Sequence, residues 1–533
     1  MANEIEKSAK RMNVGLCVLD PAGHLNPMLA LSSQLMQRGH RVFFLLTTPM
    51  NIENIRISKK EFEEGKDYHF EKLWSEDDLR RLREDPTTFY QAVLPPKSSQ
   101  DEHEIRVPEL LLHSMVKSCV EQAPKFIEAV KRCEIDVLIS DPILLNATIA
   151  AAQTDVPVVG VVTFPGFSSV PLWCGKDTEE ERRDALESFK RAGVIANAAR
   201  SLKQMYGIDF FENFLPSLHM LPKSLNLCTG IPEFDEELPA VAKEVMGSGI
   251  EETFLHVGPM VLSEEEGHIA VWSKEGKREQ ESDFPFDRVQ KFKEEGRKVV
   301  YISFGSMVAG WLWDWEDVQY GRGKPFGARQ SGKVFCTDLW QKFFEAFGGD
   351  DRIAVVLSSG PKFQDEKEFA DHVPDNFIVR PNVPQVELLD HVDAFVTHAG
   401  ANSMFESIAA SVPMLATPYF ADQFGNAKMI SREGVGLHYD DPVAESSAED
   451  LKEKVWSLLE NKVEFVANCE RLQRSIKTAG GAKRASEAIE AYVADFKGHG
   501  ELKGPRQKEV LERCGSAASQ SDAGSSLRSF ELI

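Results

Sequence analysis

Two series of short, uninterrupted apolar runs, each separated from the next by a stretch of helical periodicity, constrain this chain most. In the first half, Val14 to Leu19 and Val42 to Leu46 flank a helical pattern from Met28 to Gln37 that stops at Gly39. Runs of strand length without polar alternation belong to strands buried on both faces, the position of a parallel strand covered by helices. Val137 to Ser140, Val158 to Thr163 and Leu225 to Leu227 continue the series, with helices such as Leu110 to Val130 between them. The second half repeats the plan with Val299 to Phe304, Ile353 to Leu357, Phe377 to Val379, Ala394 to Thr397 and Met414 to Ala416. The pattern predicts an α/β protein of two Rossmann-like domains, each a parallel sheet wrapped by helices. At 533 residues and 42% apolar content the chain can fill two cores, and no sequence repeat relates the halves.

The composition marks the boundaries. After Val257-Gly258-Pro259 the sequence turns charged through Asp287, which predicts a first domain at 1–260, a linker at 261–297 and a second domain at 298–480. Segments around Phe62 to Ser99 and Cys174 to Leu221 read as helical or irregular insertions of the first domain. Residues 308–333 are longer than the usual connection after a strand and read as an insertion. Residues 481–496 form a helix, and 497–533, rich in Gly, Ser and charge, read as a disordered tail.

The net charge of −23, from 61 basic and 84 acidic residues, argues against nucleic-acid binding through a basic surface. Eight scattered cysteines with no C-x-x-C pair indicate neither a disulfide framework nor a zinc site. The N-terminus, Met1 to Met12, lacks the apolar core of a signal peptide, and no stretch is apolar for long enough to span a membrane. A cytoplasmic protein is expected.

The most informative local feature is Phe395-Val-Thr-His398-Ala-Gly400-Ala-Asn402-Ser403-Met-Phe-Glu406, followed by Asp422-Gln423. A strand ending at Thr397 passes through a small-residue turn into a helix carrying Met404, Phe405, Ile408 and Ala409. A helix start presents unpaired N–H groups and a partial positive charge, a place for a diphosphate. Gly400 lets the backbone come close, His398, Asn402 and Ser403 add donors, and Glu406 can accept from ribose hydroxyls. Ser403-x-x-Glu406 also fits a capping box, and Asp422 also fits an N-cap.

The whole run, with these spacings intact, resembles the signature of the family-1 glycosyltransferases, the UDP-glycosyltransferases. The resemblance implies the GT-B fold, two facing Rossmann-like domains with a cleft between them, and a C-terminal helix that crosses back onto the first domain. It implies diphosphate contacts at His398, Asn402 and Ser403, a ribose contact at Glu406, and contacts from Asp422 and Gln423 to the transferred sugar. Val383-Pro384-Gln385 matches the family's Pro-Gln step, where the backbone beside Gln385 meets the base. Two residues before that proline the family commonly carries a Trp that stacks on uracil. Here it is Asn382, so looser base selection is expected, with thymidine-diphosphate sugars able to compete.

Asp20-Pro-Ala-Gly23-His24-Leu-Asn-Pro27 places a histidine at the C-terminal edge of the first sheet, where such folds bind ligands. Asn26-Pro27 is also a fitting N-cap and N1 pair, which would leave His24 in a loop. Gly-His-x-x-Pro resembles the family's general-base motif, and Asp141, ending the strand Val137 to Ser140, matches the aspartate of its catalytic pair. Asp141-Pro142 also fits a helix N-cap followed by Pro at N1. Weaker matches are Ser306, in Ser303-Phe-Gly-Ser306, for phosphate and Thr163 for the sugar.

These parts imply an inverting transfer of a sugar, glucose first among candidates, from a UDP-sugar to a hydroxyl of an apolar small molecule. No metal and no cofactor is expected, since the sequence has no Asp-x-Asp motif and UDP-sugar is a co-substrate. The alternatives are an epimerase or hydrolase of the same fold and a non-catalytic partner of another transferase. Trp311, Trp313 and Trp315 alternate, so in an extended segment they would share one face and could cover an acceptor or pack on the domain surface.

Overall fold

The computed structural model describes residues 11–18, 22–47, 51–74, 122–142, 144–166, 178–191, 193–209, 221, 224–235, 240–246, 253–261, 284–313, 331–360 and 373–499. Residues 500–533 of the expected tail and most of the expected linker lie outside them, while 497–499 continue the preceding helix. The chain divides into two compact units. One comprises Met1–Phe167, Lys176–Ile269 and Ile476–Ile533, and the other Ser168–Gly175 and Ala270–Ser475.

Among the described residues the first unit holds seven parallel strands: β1 (Asn13–Cys17), β2 (Arg41–Leu46), β3 (Tyr68–Lys72), β4 (Val137–Ser140), β5 (Val158–Val162), β6 (Asn226–Cys228) and β7 (Phe254–His256). Their order is β3-β2-β1-β4-β5-β6-β7. The order reverses between β1 and β4, the switch point beside which doubly wound sheets bind ligands. Helices α1 (Ala22–Gln37) and α2 (Leu145–Thr154) follow β1 and β4. Alternate strand residues face opposite cores. Val14, Leu16, Phe44 and Ile139 pack with Leu25, Leu29 and Leu35 of α1, while Cys17, Leu45 and Leu138 pack with Phe126, Ala147 and Ala150. Both faces are dry, which is why these strands read as unbroken apolar runs.

Among the described residues the second unit holds six parallel strands: β8 (Lys298–Ser303), β9 (Ile353–Ser358), β10 (Phe377–Arg380), β11 (Ala394–Thr397), β12 (Met414–Ala416) and β13 (Gly436–His438). The order β10-β9-β8-β11-β12-β13 has its switch point between β8 and β11. Helices α3 (Gly332–Phe347), α4 (Gln385–Leu389), α5 (Ala401–Ala409), α6 (Gln423–Arg432) and α7 (Ala448–Glu460) surround it. Val300, Ile302, Val355 and Val396 pack on Trp340, Phe343 and Phe347 of α3 and on Leu451 and Val455 of α7.

Helix α8 (Gly481–His499) belongs to the first unit. Ala485, Ala488, Ile489 and Tyr492 bury against the α1 side of the first core. Glu490 accepts from both Nε and Nη2 of Arg38, each at 2.7 Å, and lies 2.8 Å from Nε2 of the buried His40. Among the described residues no helix is long and apolar enough to cross a membrane.

Three expectations are corrected. The region from Phe62 contains β3, a strand of the main sheet, instead of an irregular insertion. The helix after β1 starts at Ala22, so Pro27 lies inside it and Asn26 is buried instead of capping. Pro27 forfeits only one turn's bond, that to the Gly23 carbonyl, which the helix tolerates this close to its start. The segment after β8 is not extended: Met307–Trp311 form a π-helical turn, and Trp313, 2% exposed, stands at 5.9 Å from Trp340 in the core. Trp313 is thus a packing residue and not an acceptor contact. Trp315 lies outside the described residues, as does the Trp311 side chain.

Candidate active site

Strand register assembles the first cluster. Cys17 of β1 lies beside Ser140 of β4, and Ser140 beside Gly160 of β5, so the segments leaving all three strands emerge together. His24, on the first turn of α1, places Nδ1 2.5 Å from Oδ2 of Asp141. Thr163, directly after β5, puts Oγ1 3.1 Å from the same nitrogen. Asp141 is 3% exposed and His24 half-buried. A carboxylate only accepts, so Nδ1 carries the proton and Nε2 is left as the basic nitrogen. The structure therefore sets the Thr163 hydroxyl against the imidazole. The edge of His24 meets the Phe164 ring at 6.4 Å and 80°.

The second cluster forms at the switch point of the other sheet, where Thr397 of β11 lies beside Ser303 of β8. The chain leaves β11 through Ala399, held in the left-handed region at φ 62°, and Gly400 is the N-cap of α5. Among the described residues no side chain caps that helix, so its first N–H groups can meet an anion. The His398 ring fills the space between two glycines: a Cβ on Gly305 would lie 2.5 Å from its Nε2, and one on Gly400 2.4 Å. Its Nδ1 is buried with no hydrogen-bond partner among the described residues, and burial pushes the imidazole down to about 4, so it is neutral at pH 7. Ser306, two residues into the next turn from Phe304, is half-buried.

Ser403 and Glu406 do not form a capping box. Both accept from one group, the Nε2 of Gln385, at 3.1 Å and 2.6 Å. Gln385 opens α4 directly after Val383-Pro384, with Val383 buried and Asn382 half-buried. Asn402 is half-buried in the first turn of α5. Asp422 occupies the N-cap position of α6, yet its carboxylate accepts from Asn426 Nδ2 at 2.7 Å instead of from a backbone N–H. Gln423 commits Oε1 to the N–H groups of Tyr419 and Phe420, at 2.9 Å and 3.1 Å.

Sequence reasoning missed Asn426 and Tyr301. Asn426 is fully buried and also donates to the Ala399 carbonyl at 2.8 Å, tying the start of α6 to the turn after β11. Its spacing of four from Asp422 on one helix face was the available signal. Tyr301, buried in β8, donates to Gln385 Oε1 at 3.1 Å, and nothing in its apolar run distinguishes it from a core residue.

Residues 362–477 match the family model described as "UDP-glucoronosyl and UDP-glucosyl transferase", a span that contains every residue of the second cluster from Asn382 to Gln423. The chain is 22% identical to the NDP-glycosyltransferase YjiC of Bacillus subtilis over 91% of its own length and 98% of that protein. In this span and along its length the chain is similar to the family-1 glycosyltransferases. Its fold is that of the glycotransferase of kitacinnamycin, with a TM-score of 0.60 at 20% identity over 90% of this chain and 99% of the other. It also matches the spinosyn rhamnosyltransferase SpnG complexed with thymidine diphosphate, at TM-score 0.53 and 15% identity over 90% of this chain and 100% of that one. The chain therefore has the GT-B architecture.

Proposed function

We propose that this protein moves a sugar, glucose first among candidates, from a UDP-sugar to a hydroxyl of an apolar small molecule with inversion at the anomeric carbon. The observation that carries the reading is the 2.5 Å contact between His24 Nδ1 and Asp141 Oδ2. It fixes one tautomer and leaves Nε2 to take the acceptor's proton, while Asp141 stabilises the imidazolium that results. The acceptor oxygen forms its bond to the anomeric carbon on the face opposite the nucleotide. The bond from that carbon to the diphosphate oxygen breaks, and its electron pair leaves with UDP.

The leaving diphosphate would lie against the uncapped start of α5, with Ser306, His398, Asn402 and Ser403 as further donors. Fixed N–H groups and neutral side-chain donors supply stabilisation there without a metal. Glu406 would hold the ribose, Asp422 would accept from sugar hydroxyls, and the Gln423 Nε2 would donate to one. Asn382, lacking an aromatic face, would leave the base pocket open to thymine as well as uracil, a reading in keeping with the nucleotide bound to SpnG.

The test is nucleotide release from UDP-glucose and from thymidine-diphosphoglucose, with and without a panel of phenols and sterols. Release that depends on an acceptor and yields a glycoside of inverted configuration supports the proposal. Equal release without any acceptor would make the protein a hydrolase, and none under any condition would leave it a non-catalytic partner.

A further inference from the structure

We propose that Tyr301 is a positioning residue for ribose recognition, acting through Gln385 on Glu406; the inference rests on the reading that Glu406 holds the ribose. Tyr301 is 1% exposed, and its ring stacks on its register partner Phe395, with centroids 4.7 Å apart and planes 7° from parallel. Two packed rings on adjacent strands fix where the phenol oxygen stands. That hydroxyl donates to Gln385 Oε1 at 3.1 Å. Burial raises the phenol well above its usual range, so it remains a protonated donor throughout the working pH range.

With Oε1 held by Tyr301, the two ends of the Gln385 amide are no longer interchangeable. Nε2 must face α5, where it donates to Ser403 Oγ at 3.1 Å and to Glu406 Oε2 at 2.6 Å. Both of its hydrogens are used, and one carboxylate oxygen is thereby fixed in direction. The rotamer that Glu406 presents to ligand is set from the strand beneath it. Without the phenol hydroxyl, the amide loses the contact that orients it, and Glu406 loses its fixed geometry while its charge is unchanged. The effect should fall on ligands that use the ribose 2′-hydroxyl, because only they benefit from a carboxylate held in place.

The experiment is titration calorimetry of UDP and of 2′-deoxy-UDP with the full chain, for wild type, Tyr301→Phe, Gln385→Leu and Glu406→Gln. Tyr301→Phe keeps the stacked ring. It is expected to weaken UDP roughly three- to tenfold, the scale of one lost hydrogen bond, and to bring the ratio of the two dissociation constants towards one. Gln385→Leu breaks the link at its other end and must reproduce the change. A variant that weakens both nucleotides equally, leaving the ratio at its wild-type value, would make Tyr301 structural and overturn the proposal. A ratio that collapses in Glu406→Gln but not in Tyr301→Phe would also overturn it while sparing the ribose reading. A ratio unmoved by Glu406→Gln would overturn both.

Discussion

Gly305 and His398 exclude any side chain from the space between them: a Cβ on Gly305 would lie 2.5 Å from both Cε1 and Nε2 of the imidazole. Gly305 also sits at φ 76°, where an L side chain is strained. Gly305→Ala is expected to cost roughly 2–5 kcal/mol, from the left-handed backbone and the overlap together. Chemical denaturation followed by tryptophan fluorescence measures this, and a variant within 0.5 kcal/mol of wild type, the usual scatter of neutral substitutions, would mean that the ring is not held as described.

The burial that lowers His398 to about 4 makes it a pH-sensitive group. Between its ordinary value of 6.5 and about 4, the unfolded chain holds a proton here that the folded chain does not. Acidification through that window therefore removes stability, at up to about 1.4 kcal/mol per pH unit from this site. Histidine-selective isotope labelling should show the His398 resonance titrating near 4, with its midpoint moving up when UDP is bound, since an adjacent anion favours the imidazolium. A midpoint near 6.5 without ligand would contradict the assignment.

The first unit carries the opposite case. Burial disfavours the His256 imidazolium, but Asp235, 2.6 Å from Nε2, and Cys228 outweigh it and raise the group to about 10. The stability this pair contributes is complete below 6.5 and is lost as pH rises through about 10. Urea midpoints measured from pH 6.5 to 10.5 are expected to fall more steeply for wild type than for His256→Gln. Parallel curves would show that the pair contributes nothing.

Trp313 and the expected insertion separate on stability. Trp313→Ala should cost about 3–5 kcal/mol, as removal of a large buried ring does. The ends of the excursion are joined by hydrogen bonds from Gly332 N to Leu312 O at 2.8 Å and from Lys333 N to Trp313 O at 3.1 Å. Replacing residues 314–330 with a short Gly-Ser linker is therefore expected to leave the melting temperature within a few degrees of wild type. Equal losses in both variants would show that residues 314–330 contribute to the core.

The parts of the fold legible in the sequence are those whose residues face dry surfaces on both sides. β4, β11 and β12 sit where their apolar runs begin and end. β3, with the sequence Tyr-His-Phe-Glu-Lys, was not legible because an edge strand keeps polar residues on its half-exposed positions. The strand–turn–helix at His398 was readable because its parts are neighbours in the chain. The link from Tyr301 to Glu406 was not, because it joins three separate elements through one amide, and periodicity carries no information about such a contact. Trp313 misled because alternation implies a shared face only in an extended chain, and the segment from Met307 to Trp311 that leads into it is a π-helical turn.

The most direct test of the central claim is His24→Ala, assayed for glycoside formation with UDP-glucose and for UDP affinity by calorimetry. The account predicts a rate lower by roughly 10²–10⁴, the usual scale of a lost general base, with a smaller loss for Asp141→Asn and UDP affinity within twofold of wild type for both. Near-normal turnover by His24→Ala with an alcohol acceptor would contradict it.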